Sequence, residues 1–235
     1  MTQPKTSGGA GLAIEHLPVL APVDSLNLEG ILSVPTAARG VVLFAHGSGS
    51  SRHSPRNRYV ADILNESGLA TLLIDLLTED EQEVDLQTAH LRFDIPLLAR
   101  RLEGMTQWLV GHPEVQGLDL GHFGASTGAA AALVAAAELP DLVRAVVSRG
   151  GRPDLAGPSL AAVEAPTLLI VGGADTAVID LNRRAMAHMQ CEKELHIIPG
   201  ATHLFEEPGA LEEVSRVAGD WFSRHFASKQ HVQTG

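Results

Sequence analysis

The sequence has little cysteine and little positive charge, and each scarcity excludes a class of protein. Cys191 is the only cysteine among 235 residues, so an intrachain disulfide is impossible and a reducing cytoplasm is the expected location. No glycine-flanked turn presents this thiol, and we interpret it as a bystander rather than a nucleophile. The 17 lysines and arginines face 28 aspartates and glutamates, a formal net charge of −11. Such a chain repels phosphate backbones, and we expect no nucleic-acid partner.

Long apolar runs and metal-binding spacings are also missing. No apolar run reaches the length that spans a bilayer, so we expect no membrane partner. The first eleven residues contain no apolar segment of a secretion signal. No spacing matches a zinc site or an EF-hand, and we predict neither a metal nor a cofactor. Five of the seven residues at 79–85 are acidic, and we interpret this stretch as a solvated loop.

Strand and helix patterns alternate from about residue 40 onward. Apolar runs of seven or eight residues are typical of strands covered on both faces of a parallel sheet, and they lie at 40–46, 69–76, 118–124, 144–150, 165–172 and 193–199. Amphipathic helical stripes lie between or after them, for example at 94–110. The segments 13–20 and 25–35 predict an antiparallel pair before this array. The order predicts an α/β fold with a mostly parallel, doubly wound sheet flanked by helices.

One domain accounts for the chain, because no internal repeat, linker or low-complexity segment divides it. We expect this domain at 12–227, between a flexible lead-in at 1–11 and a flexible tail at 228–235. The stretch between the predicted strands at 144–150 and 165–172 is too short for a separate cap domain. We therefore expect a shallow site, walled by the loops at 48–57, 77–93 and 150–162.

The decapeptide GHFGASTGAA joins a predicted strand to an alanine-rich helix through a tight corner. Gly124, Ser126 and Gly128 fit the pattern G-x-S-x-G, in which a strained turn raises a serine hydroxyl above the sheet. Residues two positions from the serine must be small to avoid a clash. The helix N-terminus beneath the turn supplies amide donors for negative charge. The pattern predicts that Ser126 is a nucleophile.

A serine hydroxyl needs a base, and the base needs an orienting acid. In open parallel sheets, ligands bind beyond the carboxyl ends of the strands. Asp175 follows one predicted strand and His203 follows the next, in the chain order serine, acid, histidine. We therefore predict a Ser126–Asp175–His203 triad.

Other residues compete for the acid and base roles. Asp154 is an alternative acid, because the acid in such folds sometimes follows the preceding strand. His46 and His53 lie on a relevant loop but precede the serine, which makes them weaker candidates for the base. His122 lies within a strand, where we expect it to be packed. Asp75 is expected to organise a loop.

The segment HGSG, which begins at His46, is a glycine-bearing turn of the kind that donates a backbone amide to an oxyanion. We predict that the amides of Ser48 and Thr127 form an oxyanion hole. Four arginines lie on loops at the same edge of the sheet, where they either bind a substrate carboxylate or pair with the protein's own acids: Arg52, Arg56, Arg149 and Arg152.

With these features together, the chain resembles the α/β-hydrolase superfamily, and within it the small, lid-less, dienelactone-hydrolase-like family. The segments AHGSGSSRHSPRN, FGASTGAAAAL, SRGGRPDLAG, PTLLIVGGAD and PGATHLFEEPGALE carry the resemblance, which runs over roughly residues 12–227. The resemblance implies the same nucleophile, acid, base and oxyanion hole. Dienelactone hydrolases proper have cysteine where this chain has Ser126, which favours a carboxylic ester over a lactone.

We therefore expect a serine hydrolase that acts on small or short-chain carboxylic esters as its small-molecule partners. The same triad also serves acyltransferases, perhydrolases and thioesterases, which are the alternatives of another class. A non-catalytic binding module with this fold is the third interpretation. The sequence leaves the physiological substrate and the choice between monomer and homodimer open.

Overall fold

The computed structural model describes residues 13–226, which form one α/β domain around a sheet of eight strands. The predicted lead-in and tail lie outside the described residues. The strands are β1 (Ile14–Val23), β2 (Leu26–Pro35), β3 (Val41–Ala45), β4 (Ala70–Ile74), β5 (Leu120–Ala125), β6 (Val143–Arg149), β7 (Thr167–Gly172) and β8 (Lys193–Ile198). Each apolar run predicted as a parallel strand is one, with bounds shifted by a few residues at most.

The spatial order of the strands is β1-β2-β4-β3-β5-β6-β7-β8. Strands β3 to β8 run parallel, whereas β1 and β2 form the expected antiparallel pair and β2 also pairs antiparallel with β4. The central strands β3, β4 and β5 have every residue buried, as continuous apolar runs require. The predicted fold class is confirmed. Its consequence is that the carboxyl ends of β3 to β8 meet at one edge of the sheet.

Helices cover both faces of the sheet. They are α1 (Pro55–Glu66), α2 (Glu79–Thr88), α3 (Ile95–Val110), α4 (Thr127–Glu138), α5 (Thr176–His188) and α6 (Ala210–His225). The apolar faces of α3, α4 and α5 enter one core, and those of α1 and α6 enter the core on the opposite face. Short 3₁₀ segments at Leu91–Phe93 and Pro153–Ala162 complete the layers. No helix within 13–226 is long and apolar enough to cross a lipid bilayer.

The acidic stretch at 79–85 is helical, so its interpretation as a loop is wrong. Thr78 and Glu81 form a reciprocal capping box at the start of α2, and three acidic residues in its first turn complement the helix dipole. Glu81 also pairs with Arg101 of α3 at 2.7 Å, and Asp85 pairs with Arg92 at 2.6 Å. Apolar periodicity is the sequence signal that predicts a helix, and α2 has almost none. The sequence pattern therefore did not indicate this helix.

Candidate active site

The corner after β5 places Ser126 in a conformation that non-glycine residues rarely adopt. Its backbone has φ 51° and ψ −120°, and the next residue begins α4. Such strain persists only where surrounding packing imposes it, and it is characteristic of functional sites. The first amides of α4 have no acceptor within the helix and lie beside the serine. The turn therefore has the backbone of a nucleophile elbow, as its sequence pattern predicts.

The two glycines of the elbow allow backbones to approach one another. A Cβ on Gly124 would overlap the backbone of Ala129 in α4, and a Cβ on Gly128 would overlap the carbonyl oxygens of Ala45 and His46. The second contact ties the start of α4 to the end of β3. Both glycines are thus required by packing rather than by backbone dihedral angles.

Gly128→Ala is expected to lower the free energy of unfolding by about 1–3 kcal/mol, because the new methyl group meets rigid backbone oxygens. Urea unfolding followed by circular dichroism measures the change. Gly111→Ala is the matched control, since the nearest atom to its added Cβ is at an ordinary 3.6 Å. Equal stability of the two variants would contradict the packing described for the elbow.

The predicted acid and base contact each other. Asp175 is the residue before α5, and His203 lies on the loop after β8. The distance from His203 Nδ1 to Asp175 Oδ2 is 2.8 Å, and the Asp175 side chain is mostly buried. A proton on Nδ1 donated to this carboxylate leaves Nε2 as the proton acceptor. The pair has the arrangement that orients a catalytic histidine.

Ser126 and His203 line one cavity of about 200 Å³, together with residues of the loop after β3 and with Arg56, Arg149 and Leu204. Among the described residues, no hydrogen bond joins the serine hydroxyl to the imidazole. Catalytic hydrogen bonds are often long in ligand-free sites and shorten when substrate binds. The structure brings the three predicted triad residues to one edge of the sheet.

The two predicted oxyanion donors lie side by side. The hydroxyls of Ser48 and Thr127 are 3.1 Å apart, which connects the loop after β3 to the first residue of α4. Gly47 allows this approach, since a Cβ there would lie 2.9 Å from the Cβ of Ser126. Ser48 and Thr127 therefore both lie beside the elbow.

A second, larger cavity of about 450 Å³ adjoins the first; Ser48 lines both cavities, and Thr127 lines the larger one. Part of its wall is apolar, with the side chains of Leu76, Leu77, Leu86 and Leu98, and the cavity is also lined by Gln82 and by the Asp85–Arg92 ion pair. The loops predicted at 48–57 and 77–93 contribute to this wall. The segment 150–162, predicted as a third wall, lines neither cavity.

Two of the competing histidines, His46 and His122, are engaged elsewhere, whereas His53 is exposed and lines the larger cavity. His46 is buried; its Nε2 accepts the Leu76 amide at 3.1 Å, and burial lowers its pKa. His122 is fully buried in β5, and burial lowers its pKa to about 4. Its ring contacts the Thr106 hydroxyl at 2.9 Å. Both side chains hold structural elements together.

The competing acids are engaged as well. Asp154 accepts two hydrogen bonds from Arg152, at 2.9 and 2.8 Å. Asp75 accepts the backbone amide of Arg52 at 2.6 Å and also pairs with its guanidinium, which in turn contacts Glu29. Arg52 and Arg152 line neither cavity beside the elbow. Of the four predicted arginines, only Arg56 and Arg149 face the site.

Sequence reasoning missed two residues of the smaller cavity region. Leu204 lines the cavity next to His203, and the buried Asn57 accepts a hydrogen bond from Arg149 at 2.9 Å. Asn57 ends the segment SRHSPRN, yet neither residue type signals catalysis by itself. Within 13–226, no group of three or more His, Cys, Asp or Glu side chains is arranged to hold a metal ion.

A model of the Dienelactone hydrolase family matches residues 28–228. The chain belongs to this family. A dienelactone hydrolase from Anabaena variabilis is 59% identical, with a TM-score of 0.89 over 91% of this chain and 99% of that one. The resemblance inferred from sequence motifs is confirmed. The family membership agrees with the α/β-hydrolase fold of this chain.

Two further similarities define how far the family relationship extends. This dienelactone hydrolase family member is 60% identical over 199 residues to a Mycobacterium tuberculosis protein named "Putative phosphoribosyl transferase"; the match covers 85% of this chain and 44% of that one. The chain thus spans less than half the length of that relative. Est1E from Butyrivibrio proteoclasticus is 17% identical, with a TM-score of 0.72 over 88% of this chain and 98% of that one. This last likeness concerns the fold.

Proposed function

We propose that this chain is a serine-dependent hydrolase of carboxylic esters that works through an acyl-enzyme on Ser126. One observation carries the proposal: the Asp175–His203 pair, 2.8 Å apart, lies at the same sheet edge as Ser126 on its strained elbow, and His203 lines one cavity with this serine. A nucleophile, an oriented base and backbone donors are the parts that acyl transfer needs.

In this mechanism, Ser126 Oγ attacks the ester carbonyl carbon while His203 Nε2 takes the hydroxyl proton. The carbonyl oxygen becomes an oxyanion that accepts hydrogen bonds from the Ser48 and Thr127 amides. Collapse of this intermediate breaks the bond to the alcohol oxygen, which receives the proton from His203. Water then attacks the acyl-enzyme with the same histidine as base, and the acid leaves with Ser126 restored. Asp175 stabilises the imidazolium throughout.

The two cavities favour small esters. Two adjoining chambers, of about 200 Å³ and about 450 Å³, lie beside the elbow where the ester carbonyl would bind. We expect chambers of this size to enclose a short acyl chain more completely than a long one. The phosphoribosyl transferase name belongs to a much longer relative, and our proposal rests on the residues of this chain.

Acetate and butyrate esters of para-nitrophenol are expected to have a higher kcat/KM than the octanoate and palmitate esters, because we expect chambers of this size to enclose short acyl chains more completely. Initial rates across this series measure the preference. Adding methanol to the butyrate assay shows whether water is the main acyl acceptor, since transfer produces methyl butyrate. A maximum at palmitate would contradict the proposed substrate size.

A further inference from the structure

His46 contacts the peptide group that carries one of the two proposed oxyanion donors. It is the first residue after β3, and it is buried. Its Nδ1 lies 3.0 Å from the carbonyl oxygen of Gly47, and its Nε2 accepts the Leu76 amide at 3.1 Å. The imidazole therefore joins the loop after β3 to the segment after β4.

These two contacts define which nitrogen of the His46 ring carries the proton. Burial lowers the pKa of His46, so the ring is neutral at neutral pH. A neutral imidazole has one N–H donor and one nitrogen acceptor. Because Nε2 accepts the Leu76 amide, the proton is on Nδ1, which donates to the Gly47 carbonyl oxygen.

The Gly47 carbonyl and the Ser48 amide belong to one peptide group. A trans peptide is planar and directs its N–H opposite to its C=O, so a bond that holds the oxygen also sets the direction of the N–H. The same oxygen accepts the Ser50 amide at 3.2 Å, which closes a turn with Gly49 at φ 67°. A glycine of this φ is typical of the third position of a type II turn. The imidazole and the turn thus fix the Ser48 N–H from the opposite end of its peptide.

This peptide group adjoins the nucleophile on one side and the protein core on the other. A Cβ on Gly47 would lie 2.9 Å from the Cβ of Ser126, and the Ser48 hydroxyl lies 3.1 Å from the hydroxyl of Thr127. On the core side, Leu76 is fully buried, so the amide that holds the Nε2 of His46 belongs to a closely packed part of the molecule. The imidazole connects that part to the elbow.

We propose that His46 is a positioning residue for the oxyanion hole: its Nδ1–H holds the Gly47 carbonyl so that the Ser48 N–H points toward the oxyanion. The inference rests on the proposed ester hydrolysis and adds to it a side chain that acts through a backbone group. A fixed donor stabilises the transition state more than the bound ester, because full negative charge forms only on the oxyanion. Loss of the bond to Gly47 is therefore expected to lower kcat and to leave KM nearly unchanged.

Two substitutions separate the two hydrogen bonds of the ring. In His46→Asn the side-chain NH₂ takes the place of Nδ1 and keeps the donor to Gly47. In His46→Gln the amide oxygen takes the place of Nε2 and keeps only the acceptor for Leu76. His188→Asn, at an exposed position in the last turn of α5, is the matched control. For each protein we would measure kcat and KM for ethyl butyrate, the rate of phosphonylation by a fluorophosphonate, and the urea midpoint.

His46→Gln is expected to lower kcat by about 10- to 100-fold, less than the loss of a whole donor, because the Ser50 amide still holds the Gly47 carbonyl. His46→Asn is expected to stay within a few-fold of the wild type, and His188→Asn to equal it. Phosphonylation rates follow kcat, because the phosphoryl oxygen occupies the same hole. Both His46 variants lower the urea midpoint, since each loses one buried hydrogen bond. A purely structural role would lower the midpoints without separating the kcat values.

Failure of this inference is distinguishable from failure of the proposed function. Equal kcat values for His46→Asn and His46→Gln, or a loss confined to KM, would overturn the inference, while hydrolysis by the wild type keeps the proposed function. A wild-type chain that neither hydrolyses ethyl butyrate nor reacts with the fluorophosphonate overturns both. If either variant does not fold, nitrogen NMR of the histidine-labelled wild type decides, with His46 assigned through its backbone connectivities. A proton on Nδ1 supports the inference, and a proton on Nε2 refutes it.

Discussion

Ser126→Ala is expected to lower kcat/KM for ethyl butyrate by about 10⁴-fold or more, because no other group at the elbow forms the acyl-enzyme. The variant is also expected to lose its reaction with a fluorophosphonate, which phosphonylates only activated serines. Intact mass after incubation, followed by peptide mapping, places the adduct. In the wild-type chain we expect a single adduct on Ser126, since in the proposed mechanism His203 activates the serine on the strained elbow.

Ser67→Ala is the matched control for this experiment. Ser67 is exposed at the end of α1, where its hydroxyl donates to the Ile63 carbonyl at 2.9 Å. This variant is expected to keep full activity and the adduct. An unmodified wild-type chain would mean that the serine is not activated, and the interpretation as a binding module would replace the enzyme. Activity retained by Ser126→Ala would show that another residue performs the reaction.

Asp175→Asn is expected to lower kcat by about 10⁴-fold, because an amide at this position favours the wrong tautomer of His203. Asp154→Asn is expected to stay within a few-fold of the wild type, since this carboxylate pairs with Arg152 rather than with the histidine. Steady-state kinetics with ethyl butyrate compares the two substitutions. Both remove one negative charge and keep the size of the side chain, so each serves as the other's control.

The reverse ranking would assign the acid role to Asp154. It would require the loop after β6 to move, because Asp175 and not Asp154 contacts His203 at 2.8 Å in this structure. Equal and small losses in both variants would indicate that His203 works without an orienting carboxylate.

The sequence by itself determined the layout of the sheet. Its strands are continuous apolar runs separated by helical stripes, and burial on both faces makes that pattern strong. It also predicted the position of the nucleophile, since G-x-S-x-G has a backbone requirement that few other turns share. Asp175 and His203 were found by their positions after consecutive strands, because topology brings such positions to one edge. Their roles, with those of the oxyanion donors, stay predictions.

Only the tertiary structure decided which charges are neutralised. Four arginines look equivalent in the sequence, yet Arg52 and Arg152 lie against acids of the chain while Arg56 and Arg149 face the cavity. Helix α2 was not predicted from the sequence, because a capping box and ion pairs rather than an apolar stripe stabilise it. Pairing and burial depend on contacts between residues far apart in the chain. Local sequence patterns predict the strands and helices. The ion pairs and the charge of the site depend on contacts between loops that are far apart in the chain.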